Sequence, residues 1–90
     1  MLQPFALGRA SEAACPASYF LLSSGDACKS AAGAANRTYG GSGIYSHYPY
    51  GCYWHTITGS VYYNSNATGV ADVYAKPLCA GAHSIRALSW

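Results

Sequence analysis

Four cysteines, three histidines and nine tyrosines carry most of the chemistry open to this 90-residue chain. Cys15, Cys28, Cys52 and Cys79 are widely spaced, with no Cys-x-x-Cys pair and no histidine at finger spacing. A zinc site draws on close ligand pairs, so an even cysteine count in a short chain points instead to two disulfides and an oxidising compartment. Four cysteines allow three pairings, among which spacing alone does not select. The nested one, Cys28 with Cys52 and Cys15 with Cys79, is preferred because it ties the expected helix to the central strand and closes the ends of the module. His47, His55 and His83 lie at unrelated spacings, so no metal or cofactor is expected. Acid-base catalysis needs a convergent pair of tuned groups, and the carboxylates are only Glu12, Asp26 and Asp72. Asp26 reads as a helix-start residue. With no Gly-x-Ser-x-Gly elbow and no phosphate loop, the expectation is a protein that is not an enzyme. A catalytic alternative would require a cleft in which His47 or His55 meets Asp72.

The tyrosines are the stronger candidates for function. Tyr45, Tyr48, Tyr50, Tyr53 and Trp54, followed by Tyr62 and Tyr63, put large amphipathic rings in a short span. Such rings anchor protein interfaces or stack on sugar faces, because each joins a broad apolar area to a polar rim. Strand alternation places Tyr53 and His55 opposite Cys52 and Trp54, so a buried Cys52 carries Trp54 inward and leaves Tyr53 and His55 outside. The Tyr45, Tyr48 and Tyr50 segment is expected at the surface or in an interface.

The elements that must hold these residues are few. Pro16–Leu22 reads as a short strand. Ser24 is the expected N-cap of a helix over residues 27–35, with Asp26 in its positive first turn and Cys28, Ala31, Ala32 and Ala35 on one face. Asn36 tolerates the left-handed conformation that ends a helix. Tyr39–Gly43 reads as a flexible glycine loop. Cys52–Ile57 and Ser60–Asn64 form two strands joined across Thr58-Gly59, and Asn64–Gly69 is a second turn. Val70–Tyr74 is expected as a third strand, with Pro77 at an edge or in a loop. The sum is an α+β domain, one helix packed on a short antiparallel sheet.

Composition narrows the partners. The chain is 51% hydrophobic and only 9% charged, with a formal net charge of +2. Disordered chains show the reverse balance. Five scattered basic residues cannot track phosphates, so nucleic acid is not an expected partner, and no apolar run is long enough to span a membrane. A small domain with so few charges is expected either to make its surface polar with Ser, Thr, Asn, Gly and tyrosine hydroxyls, with or without attached sugar, or to have much of it covered by a partner. Residues 1–13 and 81–90 flank a four-cysteine module over residues 14–80. Phe5 and Leu7 at one end, and Ile85, Leu88 and Trp90 at the other, give both tails apolar groups to dock, on a partner or on their own domain. The start of the chain lacks a basic region and an adequate apolar run for a signal peptide, which suits a processed or partial precursor. Asn36-Arg37-Thr38 and Asn66-Ala67-Thr68 fit the N-glycosylation acceptor pattern, and both asparagines are expected to be exposed.

The residues Ala14-Cys15-Pro16, Gly25-Asp26-Ala27-Cys28, Tyr48-Pro49-Tyr50-Gly51-Cys52-Tyr53, Val61-Tyr62-Tyr63-Asn64 and Ala75-Lys76-Pro77-Leu78-Cys79 together resemble a four-cysteine module of algal proteins. That module recurs in secreted and membrane-anchored proteins of dinoflagellates and other protists. The resemblance spans about residues 14–80 and implies an extracytoplasmic module without an assigned activity. A fainter similarity is to PAN/apple and WSC modules, which bind proteins or carbohydrates and pack a cysteine-bearing helix beside a Gly-Cys-Tyr strand. The expectation from all of this is a non-catalytic, extracellular or cell-surface structural module, or one of an organelle lumen. It would be glycosylated and a subunit or accessory component of a larger filamentous or membrane-associated assembly. The alternative is a carbohydrate-binding module using exposed tyrosines.

Overall fold

Local chemistry fixes both ends of the helix. The Ser24 Oγ accepts the Ala27 N–H at 3.1 Å and starts α1 (Gly25–Ala34), with Asp26 in the first turn. At the other end Asn36 takes φ 58°. The Asn36 N–H donates to the Gly33 carbonyl and the Arg37 N–H to the Ala32 carbonyl, a Schellman ending with asparagine in the place that glycine usually holds. Cys28, Ala31 and Ala32 form the buried stripe.

The computed structural model describes residues 5–81. Within them six strands accompany the helix: β1 (Phe5–Leu7), β2 (Tyr19–Leu21), β3 (Thr38–Gly43), β4 (Gly51–His55), β5 (Ser60–Asn64) and β6 (Ala75–Gly81). The sheet order is β1-β6-β4-β5-β3, with β2 also on β6. Because Leu21 pairs with Cys79 and Tyr53 with Pro77, β2 and β4 lie end to end along one side of β6 while β1 takes the other. Every pairing is antiparallel except β3 with β5. The domain is α+β, but its sheet is larger than the short antiparallel one expected, and it is mixed.

Three expectations are corrected. Tyr39–Gly43 is not a flexible loop but most of β3, and its glycines make room for rings. A Cβ on Gly40 would lie 2.4 Å from the Tyr62 ring and one on Gly43 would lie 2.6 Å from that of Tyr45. Val70–Tyr74 is not a strand; the last strand begins at Ala75. Pro77 sits inside that strand, at neither an edge nor a loop. Its carbonyl accepts the Gly8 N–H at 2.7 Å, so its backbone faces β1 just where the β1 ladder ends. Opposite Tyr53 it is a non-hydrogen-bonded pair, and the missing N–H breaks no bond to β4.

The hydrophobic core lies between α1 and one sheet face: Leu22, Cys28, Ala31, Ala32, Cys52, Val61, Tyr63, Leu78 and Ala80, with Phe5, Leu7, Tyr39 and Trp54 packed around it. Phe5–Leu7 thus adds a strand to the chain's own sheet, and the module extends N-terminal of residue 14. Ile85, Leu88, Trp90 and His83 lie outside the described residues. Two disulfides bind the layers, Cys28 with Cys52 and Cys15 with Cys79. By strand alternation Cys52 faces the helix, whereas Cys79, one residue from core-facing Leu78 and Ala80, faces the other way. Each sheet face therefore has its own staple, and disulfides of this kind belong to an oxidising environment. Among the described residues no helix is long and apolar enough to cross a membrane.

Candidate functional site

The sheet face away from the helix carries aromatic side chains. Alternation along β4 and β5 sends Tyr53, His55 and Tyr62 to this face, and the segment between β3 and β4 folds over it with Tyr45 and Tyr48. Tyr53 and Tyr62 are directly paired across strands, their rings 5.7 Å apart. Tyr48 stacks on Tyr53 at 5.1 Å with planes 15° apart. Tyr45 stands edge-on to both, at 86° to Tyr48 and 87° to Tyr53. Together with Thr58 these residues line a cleft of about 190 Å³.

Tyr53 does lie opposite Cys52, but it is not exposed; only 2% of its surface is accessible. The alternation argument identified the face correctly and assumed wrongly that this face was solvent. Tyr45 and Tyr48 cover it. Burial pushes the Tyr53 hydroxyl well above the ordinary phenol range, and the nearby hydroxyls of Tyr45, Tyr48 and Tyr62 and the Asp72 carboxylate push in the same direction. Tyr45, Tyr48 and Tyr50 are half-buried. Tyr50 turns away from the cleft, and its ring meets Tyr63 on the helix side at 6.4 Å.

His55 organises the β4–β5 turn. Its Nδ1 accepts the N–H groups of Ile57 and Thr58, each at 3.3 Å, so the ring proton sits on Nε2 and is donated to the Tyr48 oxygen at 3.4 Å. The Tyr62 hydroxyl donates to Thr58 Oγ1 at 3.3 Å. Among the described residues no hydrogen bond or ion pair joins His55 to Asp72; the Asp72 carboxylate accepts the Tyr74 N–H at 2.8 Å. His47 is exposed. Among the described residues no three His, Cys, Asp or Glu side chains gather as a metal site.

The residue that builds this site was not singled out from the sequence. Asn64, at the end of β5, is fully buried. Its Nδ2 donates to the carbonyls of Tyr45 and Tyr48, both at 2.9 Å, and of Pro49 at 3.1 Å. Its Oδ1 accepts the Tyr45 N–H at 2.8 Å and the Asn66 N–H at 3.0 Å. Two amide protons serve three carbonyls, so one proton is shared, and this side chain is the main tie on the tyrosine segment, with the Val70 N–H on the Tyr48 carbonyl beside it. Gly69 closes the arrangement, because a Cβ there would lie 2.4 Å from the Tyr48 carbonyl oxygen. The available signal was that Asn64 is the asparagine outside both acceptor motifs and ends an apolar strand.

Asn36 and Asn66 differ in the fold. Asn36 is exposed, with only its backbone committed to the helix end. Asn66 is half-buried, which corrects the expectation of exposure. Its Nδ2 donates to the Tyr45 carbonyl at 3.3 Å, and its Oδ1 accepts both the Thr68 N–H and the Thr68 hydroxyl.

Two other features lie apart from the cleft. On the helix side, the Arg37 guanidinium sits 4.0 Å above the Trp54 ring, with the Lys76 ammonium 5.7 Å from it. A hollow of about 340 Å³ beside β1 and Cys15 has Arg9 and Glu12 as its charged lining residues. Comparison with known protein families, with curated proteins and with solved structures found no match to this chain.

Proposed function

We propose that the chain is a non-catalytic, extracellular or cell-surface interaction module, a subunit or accessory component of a larger assembly that meets its neighbour through the aromatic face. One observation carries this reading: the cleft is set among exposed apolar groups that a free surface would not favour. Ile44, 79% exposed, adjoins Tyr45, and Ile57, 69% exposed, adjoins Thr58. Tyr74, half exposed, extends the aromatic surface beyond His55, with ring centres 6.3 Å apart. Low charge over the whole chain and disulfides on both sheet faces support the same role. Asn36 is the acceptor for N-linked sugar, on the helix side and clear of the contact face, whereas the Asn66 amide is committed to the tyrosine segment.

A sugar platform has less support in the geometry. Its stacking rings would form a level shelf, and here the rings fold into a box. The test is the native mass of the chain as purified under non-denaturing conditions, for the parent and for Ile57→Glu. The parent is expected in a particle larger than one chain, and the variant is expected to leave it with its melting temperature unchanged, because the Ile57 side chain is exposed. A monomeric parent, or a variant that stays assembled, overturns the reading.

A further inference from the structure

Tyr48, Tyr53 and Tyr62 lie nearly parallel, at 15° and 33° to one another, and the other walls of the cleft cross them steeply. Besides Tyr45 against Tyr48 and Tyr53, His55 stands at 73° to Tyr48 and 90° to Tyr62. Such a box offers π faces and edges from several directions to one compact guest. Part of its hydrogen-bonding capacity is used within the box, where the Tyr48 oxygen accepts from His55 and the Tyr62 hydroxyl donates to Thr58.

Charge selects further. Among the described residues no lysine or arginine lines the cleft. Arg37 and Lys76 are at Trp54, on the opposite sheet face. The rings of Tyr45, Tyr48 and Tyr62 border the cleft with electron-rich faces, while Tyr53, 2% accessible, lies stacked against Tyr48, and the Asp72 carboxylate is near enough to push the Tyr53 hydroxyl up. The field therefore favours a cation. A primary ammonium would exchange its strong hydration for neutral hydroxyl oxygens alone, whereas a quaternary N-methylated ammonium has no N–H to satisfy and presents its charge through methyl groups that pack against rings. We propose that the cleft binds a trimethylammonium group, the head of choline and of choline esters. This rests on the reading of the aromatic face as a contact surface and names the chemistry that its cleft takes.

The experiment is a titration of the intact chain with tetramethylammonium chloride and with choline, read on the tyrosine ring protons by NMR. Neohexanol, the uncharged carbon isostere of choline, serves as the control. Saturable shifts of the Tyr45, Tyr48, Tyr53 and Tyr62 rings are expected with both cations and not with neohexanol at equal concentration. Tyr48→Leu is expected to weaken choline by about tenfold or more, and Tyr48→Phe, which keeps the face and drops the hydroxyl, to hold it within about twofold. If Tyr48→Leu does not fold, Thr58→Lys serves instead: it places a cation at an exposed position on the rim and should abolish choline binding with the fold intact. Co-sedimentation with phosphatidylcholine vesicles would identify a lipid headgroup as the source of the group; saturation by choline without sedimentation would identify a soluble one. Equal shifts from neohexanol, shifts from methyl glycosides in place of the cations, or no saturable shift would each overturn the proposal. A failed titration beside a particle that still dissociates on Ile57→Glu overturns this inference alone; failure of both overturns the contact reading as well.

Discussion

The two faces of the sheet solve different problems with the same strands. Toward α1 small and aliphatic side chains form a closed layer with Tyr63, ringed by Phe5, Tyr39 and Trp54, the Cys28–Cys52 bond crosses it, and Ala31, Ala32, Val61 and Cys52 have no accessible surface. Away from α1 the strands carry rings, one buried asparagine holds the covering segment, and a cleft stays open. One helix of ten residues and a few aliphatic groups make a core that is marginal for a domain this small, so the staples supply what packing cannot. The other face is thereby free to hold aromatic groups in an arrangement chosen for contact. Stability and recognition are thus divided between the faces, and that division can be broken from either side.

On the helix side the largest effect should come from its disulfide. Replacing Cys28 and Cys52 together by alanine removes a closure of 24 residues and is expected to lower unfolding free energy by about 3–4 kcal/mol, measured by denaturant titration. Next comes Asn64→Leu, which leaves the Pro49 carbonyl and the N–H groups of Tyr45 and Asn66 without partners and removes one of two donors from each of the Tyr45 and Tyr48 carbonyls. A loss of about 2–4 kcal/mol is expected, together with collapse of the tyrosine near-ultraviolet circular dichroism while the far-ultraviolet signal persists. An unchanged near-ultraviolet signal would mean that the tyrosine segment holds itself.

Gly40→Ala should cost about 1–2 kcal/mol by driving a methyl group into the Tyr62 ring. Combined with Tyr62→Ala, it should cost almost nothing further, a non-additivity that a double-mutant cycle detects. A smaller effect concerns pH. Because the folded state holds the Tyr53 proton above the ordinary phenol range, both states keep it below about pH 10. Above that the unfolded chain ionises and the folded one does not, so stability falls as pH rises. Tyr53→Phe should flatten that alkaline slope. Least perturbing of all is Asn36→Gln. In a glycosylating secretory host it should remove all N-linked mass at a small cost in melting temperature, since glutamine tolerates the left-handed backbone at residue 36 less well than asparagine, and sugar remaining on the variant would place it on Asn66 instead.

What could be read from the sequence was what the chain settles locally. Ser24 and Asn36 act on their own neighbouring backbone, so the helix and its ends were visible. The β4–β5 hairpin was visible because its alternation and turn lie in one continuous run. The cysteine count announced two disulfides for the same reason that it excluded close-paired zinc ligands. The misreadings were all long-range. Glycines at 40 and 43 look like a flexible loop until the Tyr62 and Tyr45 rings are laid over them. Pro77 looks like a strand breaker until its missing N–H is seen to fall where the β1 ladder has already ended. Tyr53 was assigned to the right face and the wrong environment, because nothing near it in the chain tells that Tyr45 and Tyr48 will cover it. Asn64 passed unnoticed because its partners are 15 to 19 residues away.

The division between the faces is tested most directly by covalent surface footprinting of the chain within its native particle and after release as a monomer. Protection in the particle should fall on Ile44, Ile57, Tyr62 and Tyr74, while Lys29 and Ser30 on the exposed side of α1 label equally in both states. Protection of the helix side, with the aromatic face labelled to the same extent before and after release, would contradict the assignment of recognition to the tyrosines.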